Sequence, residues 1–453
     1  MQKKIHFISI GGAAMHNLAI VLKNKGHQIT GSDDEIYEPS KSYLAKNDIL
    51  PKEIGWNVEN ITTDLDCIIL GMHARADNPE LLKAQELGIK IYSYPEYIYS
   101  QSLDKQRIVI AGSHGKTTIT SILMHVLKAV GKKFDYMVGA RIEGFETMAS
   151  LTDAPIIIIE GDEYLSSPID RIPKFLHYHP HMVLISGIAW DHINVFPEFD
   201  EYERQFELLA DMLPKAGTIF YDDTDDLVSI IGAKERPDVK QKPYEAHPYK
   251  VVDGKFILLT KNNGEIPLEI FGEHNMKNLM GAKLILDELG LLDSSIYEAF
   301  STFKGAAKRL ETLLKTENTV IYRDFAHAPS KVKATTDAVK ELYPSRKLIA
   351  CFELHTFSSL NTDFLPEYEN SLEKADLQVV FYSPKTLEIK KMQPIDEEFI
   401  RKSFGNEHLR IFTKPEILSD FLVENTKTNT SLLLMSSGTF GGLDLTNLVQ
   451  KIS

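Results

Sequence analysis

The sequence is poor in the features that would mark a secreted, membrane-spanning or nucleic-acid-binding chain. It has two cysteines in 453 residues, Cys67 and Cys351, both inside apolar runs (DCIILG and LIACFEL). That pattern reads as buried core thiols in a reducing compartment, which excludes a disulfide framework and a cysteine metal site. No apolar stretch is long enough to cross a membrane, and no membrane partner is expected. Met1 to Met15 superficially resembles a signal peptide, but it continues as strand, Gly-Gly turn and helix with no cleavage pattern; a cytoplasmic protein is expected. No block of Lys or Arg interrupts a formal charge of −14, so a nucleic-acid partner is excluded, though a small anion in a locally positive pocket is not. Internal repeats and low-complexity segments are absent.

What is present is an ordinary globular composition, 43% apolar and 25% charged. A chain of this length exceeds a single hydrophobic core and predicts several domains. Short β-rich runs alternate with helical patterns throughout, which predicts α/β layers on mostly parallel sheets. In the first block, strands are predicted at 4–10, 27–30, 67–71 and 90–92, with a helix over 15–25. In the second, they are predicted at 107–111, 156–160, 182–187 and 218–221. A hairpin is expected over 251–270, turning at Asn263-Gly264, and a helix over 276–289 with Asn275 as its N-cap. In the third, strands are expected at 320–325, 347–352, 377–382, 409–412 and 431–435, with Pro329 in the first turn of a helix.

The strongest motif is Gly112-Ser113-His114-Gly115-Lys116-Thr117-Thr118, between the strand 107–111 and an amphipathic helix over 119–130. Glycines let backbone N–H groups converge on a phosphate, and the helix N-terminus adds a favourable dipole. Lys116 is suited to the β- and γ-phosphates, and the Thr117 hydroxyl to Mg²⁺. Only two residues separate the glycines where the usual phosphate loop has four, which points away from a general ATPase. Glu160-Gly161-Asp162-Glu163 ends a strand where open α/β sheets bind ligands, and a carboxylate there suits Mg²⁺. Asp191-His192 follows the next strand. His177-Tyr178-His179-Pro180-His181 has metal-like spacing but no fourth ligand, and reads as a polar loop. Ser9-Ile10-Gly11-Gly12-Ala13-Ala14 keeps only the middle glycine of a dinucleotide fingerprint. That is weak evidence for NAD, so a nicotinamide-dependent oxidoreductase stands as a competing reading, while the strand–Gly-Gly–helix unit can hold some other diphosphate at the helix N-terminus.

Seven segments in order, GSHGKTT (112–118), EGDE (160–163), WDH (190–192), GEHNMKN (272–278), KRLE (308–311), DFAHAPS (324–330) and SSGTFGG (436–442), resemble the Mur ligase family over essentially the whole chain. The resemblance implies ATP-dependent amide formation in peptidoglycan assembly, with ATP and Mg²⁺, through an acyl phosphate. It implies a Rossmann-like UDP-sugar domain (1–103), a central P-loop ATPase-like domain (104–308) and a Rossmann-like C-terminal domain (309–453). By the same resemblance, residues 112–118 hold ATP, with Lys116 catalytic and Thr117, Glu160 and His192 as metal ligands. His274, Asn275 and Asn278 would face ATP, and Arg309, Asp324 and His327 would close over it. Gly11, Gly12, Ala13 and Asp33 would hold the UDP-sugar, UDP-N-acetylmuramate, and His355 and Thr356 the incoming peptide. Tyr-x-Pro in 31–39 and the lengthened stretch ending in 174–180 resemble the branch that adds the murein peptide L-Ala-γ-D-Glu-meso-diaminopimelate. Residues 353–358 are nearer the branch that adds L-alanine. No obligate protein partner is implied.

Overall fold

Continuous runs of branched aliphatics, such as Ile156–Ile159, suit strands covered on both faces, and they build the centres of parallel sheets here. In this computed structural model the described residues are 2–190, 193–252, 254–305, 310–427 and 429–453. The expectations for Asp191, His192 and Arg309 lie outside them. Two compact units are formed, one of residues 1–188 with 202–244, the other of 189–201 with 245–453.

The first unit holds two sheets. Strands β1 (Lys4–Ile8), β2 (Gln28–Ser32), β3 (Cys67–Leu70) and β4 (Ile91–Ser93) are parallel in the order β2-β1-β3-β4. Cys67 is buried there as a free thiol. The second sheet comprises β5 (Gln106–Ala111), β6 (Asp135–Met137), β7 (Ala149–Ser150), β8 (Ile156–Glu160), β9 (Met182–Ile185), β10 (Thr218–Asp222) and β11 (Lys240–Tyr244). Their order is β11-β10-β9-β5-β8-β6-β7, parallel except for β7. β5 thus lies in the middle, between β9 and β8. The chain leaves it at the point where successive connections diverge, the usual place for a ligand in such sheets.

The second unit holds a small antiparallel sheet and a larger one. Strands β12 (Tyr249–Val252), β13 (Lys255–Leu259) and β14 (Glu265–Pro267) form a three-stranded meander where a two-stranded hairpin was expected. The expected turn at Asn263-Gly264 is present and joins β13 to β14, closed by the Thr260 N–H on the Gly264 carbonyl at 3.2 Å. The larger sheet comprises β15 (Glu311–Lys315), β16 (Thr319–Asp324), β17 (Lys347–Leu354), β18 (Leu377–Tyr382), β19 (Arg410–Phe412) and β20 (Thr430–Met435), in the order β15-β16-β20-β17-β18-β19. All but β15 are parallel. Pro329 opens the helix Pro329–Leu342, as expected.

One local expectation fails. Asn275 is not an N-cap: the helix Glu273–Glu288 starts two residues earlier, after Gly272 at φ +89°. Gly272 supplies the turn, leaving Asn275 inside the first turn, where its amide donates to the Phe271 carbonyl at 2.8 Å.

Candidate functional site

The loop after β5 is shaped by backbone geometry before any side chain acts. Gly112 sits at φ +123°, and a Cβ there would lie 2.8 Å from the Ser186 nitrogen at the end of β9. Gly115, at φ +80°, is the N-cap of the helix Lys116–Ala129, so no capping side chain covers the first amides of that helix, an arrangement suited to an anion. The loop is pinned to its neighbours by the Ser113 N–H on the Gly187 carbonyl at 2.9 Å and by the Ser186 hydroxyl on the His114 carbonyl.

Lys116 folds back over this loop. Its Nζ donates to the Gly112 carbonyl at 2.6 Å and to Glu163 Oε2 at 2.7 Å. Burial disfavours its charge, but Glu163, Asp162 and Glu160 together outweigh burial and raise the ammonium above the ordinary lysine value. Glu163, itself buried, also accepts from the Tyr202 hydroxyl at 3.3 Å, and Tyr202 is 2.8 Å from Ser113 Oγ. Sequence reasoning noticed Glu163 only as part of the acidic quartet. Its pairing with the loop lysine depends on how β8 and β5 align, which no local pattern reveals.

β8 places Glu160 opposite Ile110, two residues before Gly112 opens the loop. The Thr117 hydroxyl donates to Glu160 Oε1 at 2.8 Å, while the Gly139 N–H holds Oε2 at 2.8 Å. A hydroxyl and an oriented carboxylate, both hard oxygen donors beside a phosphate-binding loop, fit Mg²⁺.

A cavity of about 420 Å³ opens beside this pair. Gly12 and Ala13, after β1, form one side of it and Lys116 and Glu160 another, so three groups of expected residues meet. Ser166, Lys174 and Tyr178 reach it from the long segment after β8, where Asp162 grips Lys174 at 2.6 Å. Burial and Glu163 both push the Asp162 carboxyl up, but Lys174 and Lys116 prevail and hold it below its usual range. His73 also lines the space, its imidazole held below the usual value by burial and then by Lys174. Four methionines, Met15, Met72, Met137 and Met148, are among the residues of the apolar wall. None of His73, Lys174 or Tyr178 was picked out as a cavity residue from sequence, although 174–178 carried a recognisable motif.

Asp33 and Gly11 do not line this cavity, but Asp33 holds the glycine turn whose Gly12 does. Its carboxylate accepts from the Gly11 N–H at 2.7 Å and the Asp34 N–H at 3.0 Å. Burial pushes it up to about 6 despite the Gly11 bond. A folded value above the unfolded one favours folding most below the unfolded value of about 3.9, and the contribution is lost as pH rises through about 6. Asp33→Asn, which keeps an acceptor for Gly11, is expected to flatten the fall in stability between about pH 4 and pH 6. Urea midpoints at several pH values test this; parallel curves for the two proteins would remove Asp33 as the cause.

In the second unit, the expected residues gather around the end of β16. Asp324 is buried; its Oδ1 accepts from the Ala326 N–H at 2.7 Å and its Oδ2 from the Leu310 N–H at 2.7 Å. It thereby ties the start of β15 to the turn bearing His327, whose Nδ1 is 2.9 Å from the Phe325 carbonyl. Burial lowers the His274 imidazole, with Asp324 opposing and Lys277 assisting. Asn278 donates to Asn275 Oδ1 at 3.2 Å. At the ends of β17 and β20, the buried Glu353 accepts from the Phe440 N–H at 2.7 Å and from the Ser436 hydroxyl. The His355 ring lies against Gly438, where a Cβ would come within 2.5 Å of it. Thr356 caps its own turn, accepting from the Ser359 N–H at 3.0 Å.

A central strand, a tight glycine turn, a lysine over the turn and a hydroxyl–carboxylate pair define a phosphate-binding α/β enzyme. The profile described as "Mur ligase family, catalytic domain" matches residues 4–105, and "Mur ligase middle domain" matches residues 110–286. UDP-N-acetylmuramate–L-alanine ligase of Sulfurihydrogenibium sp. (strain YO3AOP1) is 31% identical over 384 residues, covering 83% of this chain and 82% of that one. UDP-N-acetylmuramate–L-alanyl-γ-D-glutamyl-meso-2,6-diaminoheptandioate ligase of Haemophilus influenzae is 26% identical over 452 residues, covering 97% of each. In fold, the chain matches the crystal structure of the UDP-N-acetylmuramate–alanine ligase of Thermotoga maritima with a TM-score of 0.71, over 100% of this chain and 98% of that one, at 22% identity. The chain belongs to the Mur ligase family and is an ATP-dependent amide ligase. That removes the oxidoreductase reading of the glycine turn after β1.

Proposed function

We propose that this ligase joins UDP-N-acetylmuramate to the murein peptide L-Ala-γ-D-Glu-meso-diaminopimelate in peptidoglycan recycling, in the cytoplasm, where ATP is supplied. The observation that carries the reading is the long segment after β8, which brings Ser166, Lys174 and Tyr178 onto the cavity that Lys116 and Glu160 also line. The end-to-end match to a ligase named for that peptide supports it. Against it stand residues 353–358, which favour L-alanine as the amine, and the higher identity to an alanine ligase.

In this reading the lactyl carboxylate of the sugar attacks the γ-phosphorus of ATP in line, ADP leaves, and the peptide amine displaces phosphate from the acyl phosphate. Lys116 and the amides at the start of the helix Lys116–Ala129 neutralise charge on the phosphates. Thr117 and Glu160 would hold Mg²⁺, with His192 a further ligand as the family resemblance implies, and the ion would supply additional neutralisation of phosphate charge. Gly11, Gly12, Ala13 and Asp33 serve the UDP-sugar. His274, Asn275, Asn278, Arg309, Asp324 and His327 serve ATP, and His355 and Thr356 the peptide. The domain limits follow at 1–103, 104–308 and 309–453, supported by the fact that no sheet crosses them.

ADP release with UDP-N-acetylmuramate, measured in parallel with L-alanine and with the tripeptide, tests the assignment. Turnover is expected with the tripeptide only. Turnover with L-alanine alone would overturn it in favour of the alanine ligase.

A further inference from the structure

The motif His177-Tyr178-His179-Pro180-His181 does not act as a unit. His179 packs against Tyr99 with ring centroids 4.7 Å apart, and His181 Nδ1 accepts from the Arg107 N–H at 3.1 Å. His177 turns elsewhere, within a short 3-10 helix (Lys174–Tyr178), and meets two carboxylates from distant parts of the chain. One ligand atom each from Glu96, Asp170 and His177 lies within 4.8 Å of the other two, which makes this the one such grouping among the described residues.

We propose that Glu96, Asp170 and His177 hold a divalent cation of the zinc type, which pins the hairpin over residues 165–173. Donors to a single Zn²⁺ sit about 2.1 Å from it and so at most about 4.2 Å from each other. In a tetrahedral site they lie about 3.4 Å apart, so side-chain rotations moving the donors by about an ångström close the observed set. Two carboxylates and an imidazole suit a borderline cation better than Mg²⁺, which takes mostly oxygen ligands and keeps several waters.

Three further observations point to a ligand rather than a simple ion pair. His177 Nε2 is 2.8 Å from Asp170 Oδ2, yet this buried nitrogen makes no hydrogen bond among the described residues. Both carboxylates are oriented by backbone: the Ser93 N–H holds Glu96 Oε2 at 2.7 Å, and the Ile172 N–H holds Asp170 Oδ1 at 3.2 Å. Each therefore keeps one oxygen for the cluster, the pattern by which outer partners aim metal ligands. Finally, two carboxylates this close repel one another, and a divalent ion relieves this more fully than one imidazolium.

The hairpin itself needs such a tie. The Ser166 N–H and hydroxyl both bond the Ile172 carbonyl, at 3.0 and 2.6 Å, closing its base, but Ile169 and Ile172 stand exposed. Its two ends carry Ser166 and Lys174 to the 420 Å³ cavity, so fixing it fixes one wall. The site is separate from the nucleotide loop and stands whichever amine the enzyme takes.

The test uses the full chain, stripped with chelator and titrated calorimetrically with ZnCl₂ without nucleotide. Asp170→Asn, His177→Gln and Glu96→Gln each keep a polar side chain of similar size, and Glu160→Gln controls for zinc at the nucleotide site. One zinc is expected in the wild type and in Glu160→Gln, with binding at least about 10-fold weaker in each of the other three. Trypsin cleavage after the exposed Arg171 is expected to slow with zinc in the wild type and not in Asp170→Asn. Absence of zinc binding by the wild type, or binding that survives both Asp170→Asn and His177→Gln, overturns the proposal. Mg²⁺ saturating the site in place of zinc overturns the assigned metal class.

Discussion

Lys116→Ala is expected to reduce ATP-dependent ADP release by about 10³-fold, because a positioned charge on the transferring phosphoryl group contributes in the transition state. The same substitution has a second, separable effect. Glu163 is 1% exposed, and Lys116 is its charged partner at 2.7 Å. Leaving such a carboxylate unpaired costs about 3 kcal/mol, softened by the Tyr202 hydroxyl that still reaches it. Lys116→Ala/Glu163→Gln is therefore expected to regain most of the lost stability and none of the activity. Urea denaturation and an ADP-release assay on the three proteins separate the two effects. Undiminished turnover in Lys116→Ala, or activity restored in the double variant, would remove Lys116 from the chemistry.

Glu160→Gln is the second large effect. Glutamine keeps an oxygen for the Thr117 hydroxyl but loses the charge, and its amide can place a donor against the Gly139 N–H, where Oε2 now accepts. A neutral amide is a poor ligand for a hard cation, so activity at limiting Mg²⁺ is expected to fall by about 10²-fold and recover in part at high Mg²⁺. A Mg²⁺ titration of ADP release reads this directly. An unchanged half-saturating concentration would show that Glu160 does not hold the metal.

What was legible in the sequence follows from how local its causes are. Ile156–Glu160 and Leu377–Tyr382 coincide with their expected limits because four or more buried apolar residues in a row admit few other structures. The loop at 112–118 was equally legible, since glycine spacing, lysine and helix are contiguous. Two edge strands, β11 and β15, were not, although β2, β4 and β19 at other edges were expected. β11 carries Lys240, Lys242 and Pro243, and β15 is partly exposed and shifts register between Thr312 and Leu314. Such edge strands lack the two-sided burial that makes a pattern visible. Asn275 misled because asparagine favours N-caps, whereas Gly272 at positive φ had already turned the chain. The cavity was least legible of all. Gly12, Lys116, Glu160 and Lys174 meet through the packing of two sheets, and sequence separation conceals that meeting.

The methionines of that cavity carry a consequence of a different kind. Met15, Met72, Met137 and Met148 are unbranched and polarisable, so the wall they form can remould around ligands of different outline without a change of backbone. Of these thioethers, Met15 and Met137 are buried, while Met72 and Met148 are partly exposed and within reach of oxidants. Conversion to sulfoxides would place polar, chiral groups on the apolar wall, and only enzymatic reduction would restore it. A wall able to adapt its outline to a ligand is thus also one that peroxide would alter, and a resident ligand would shield it.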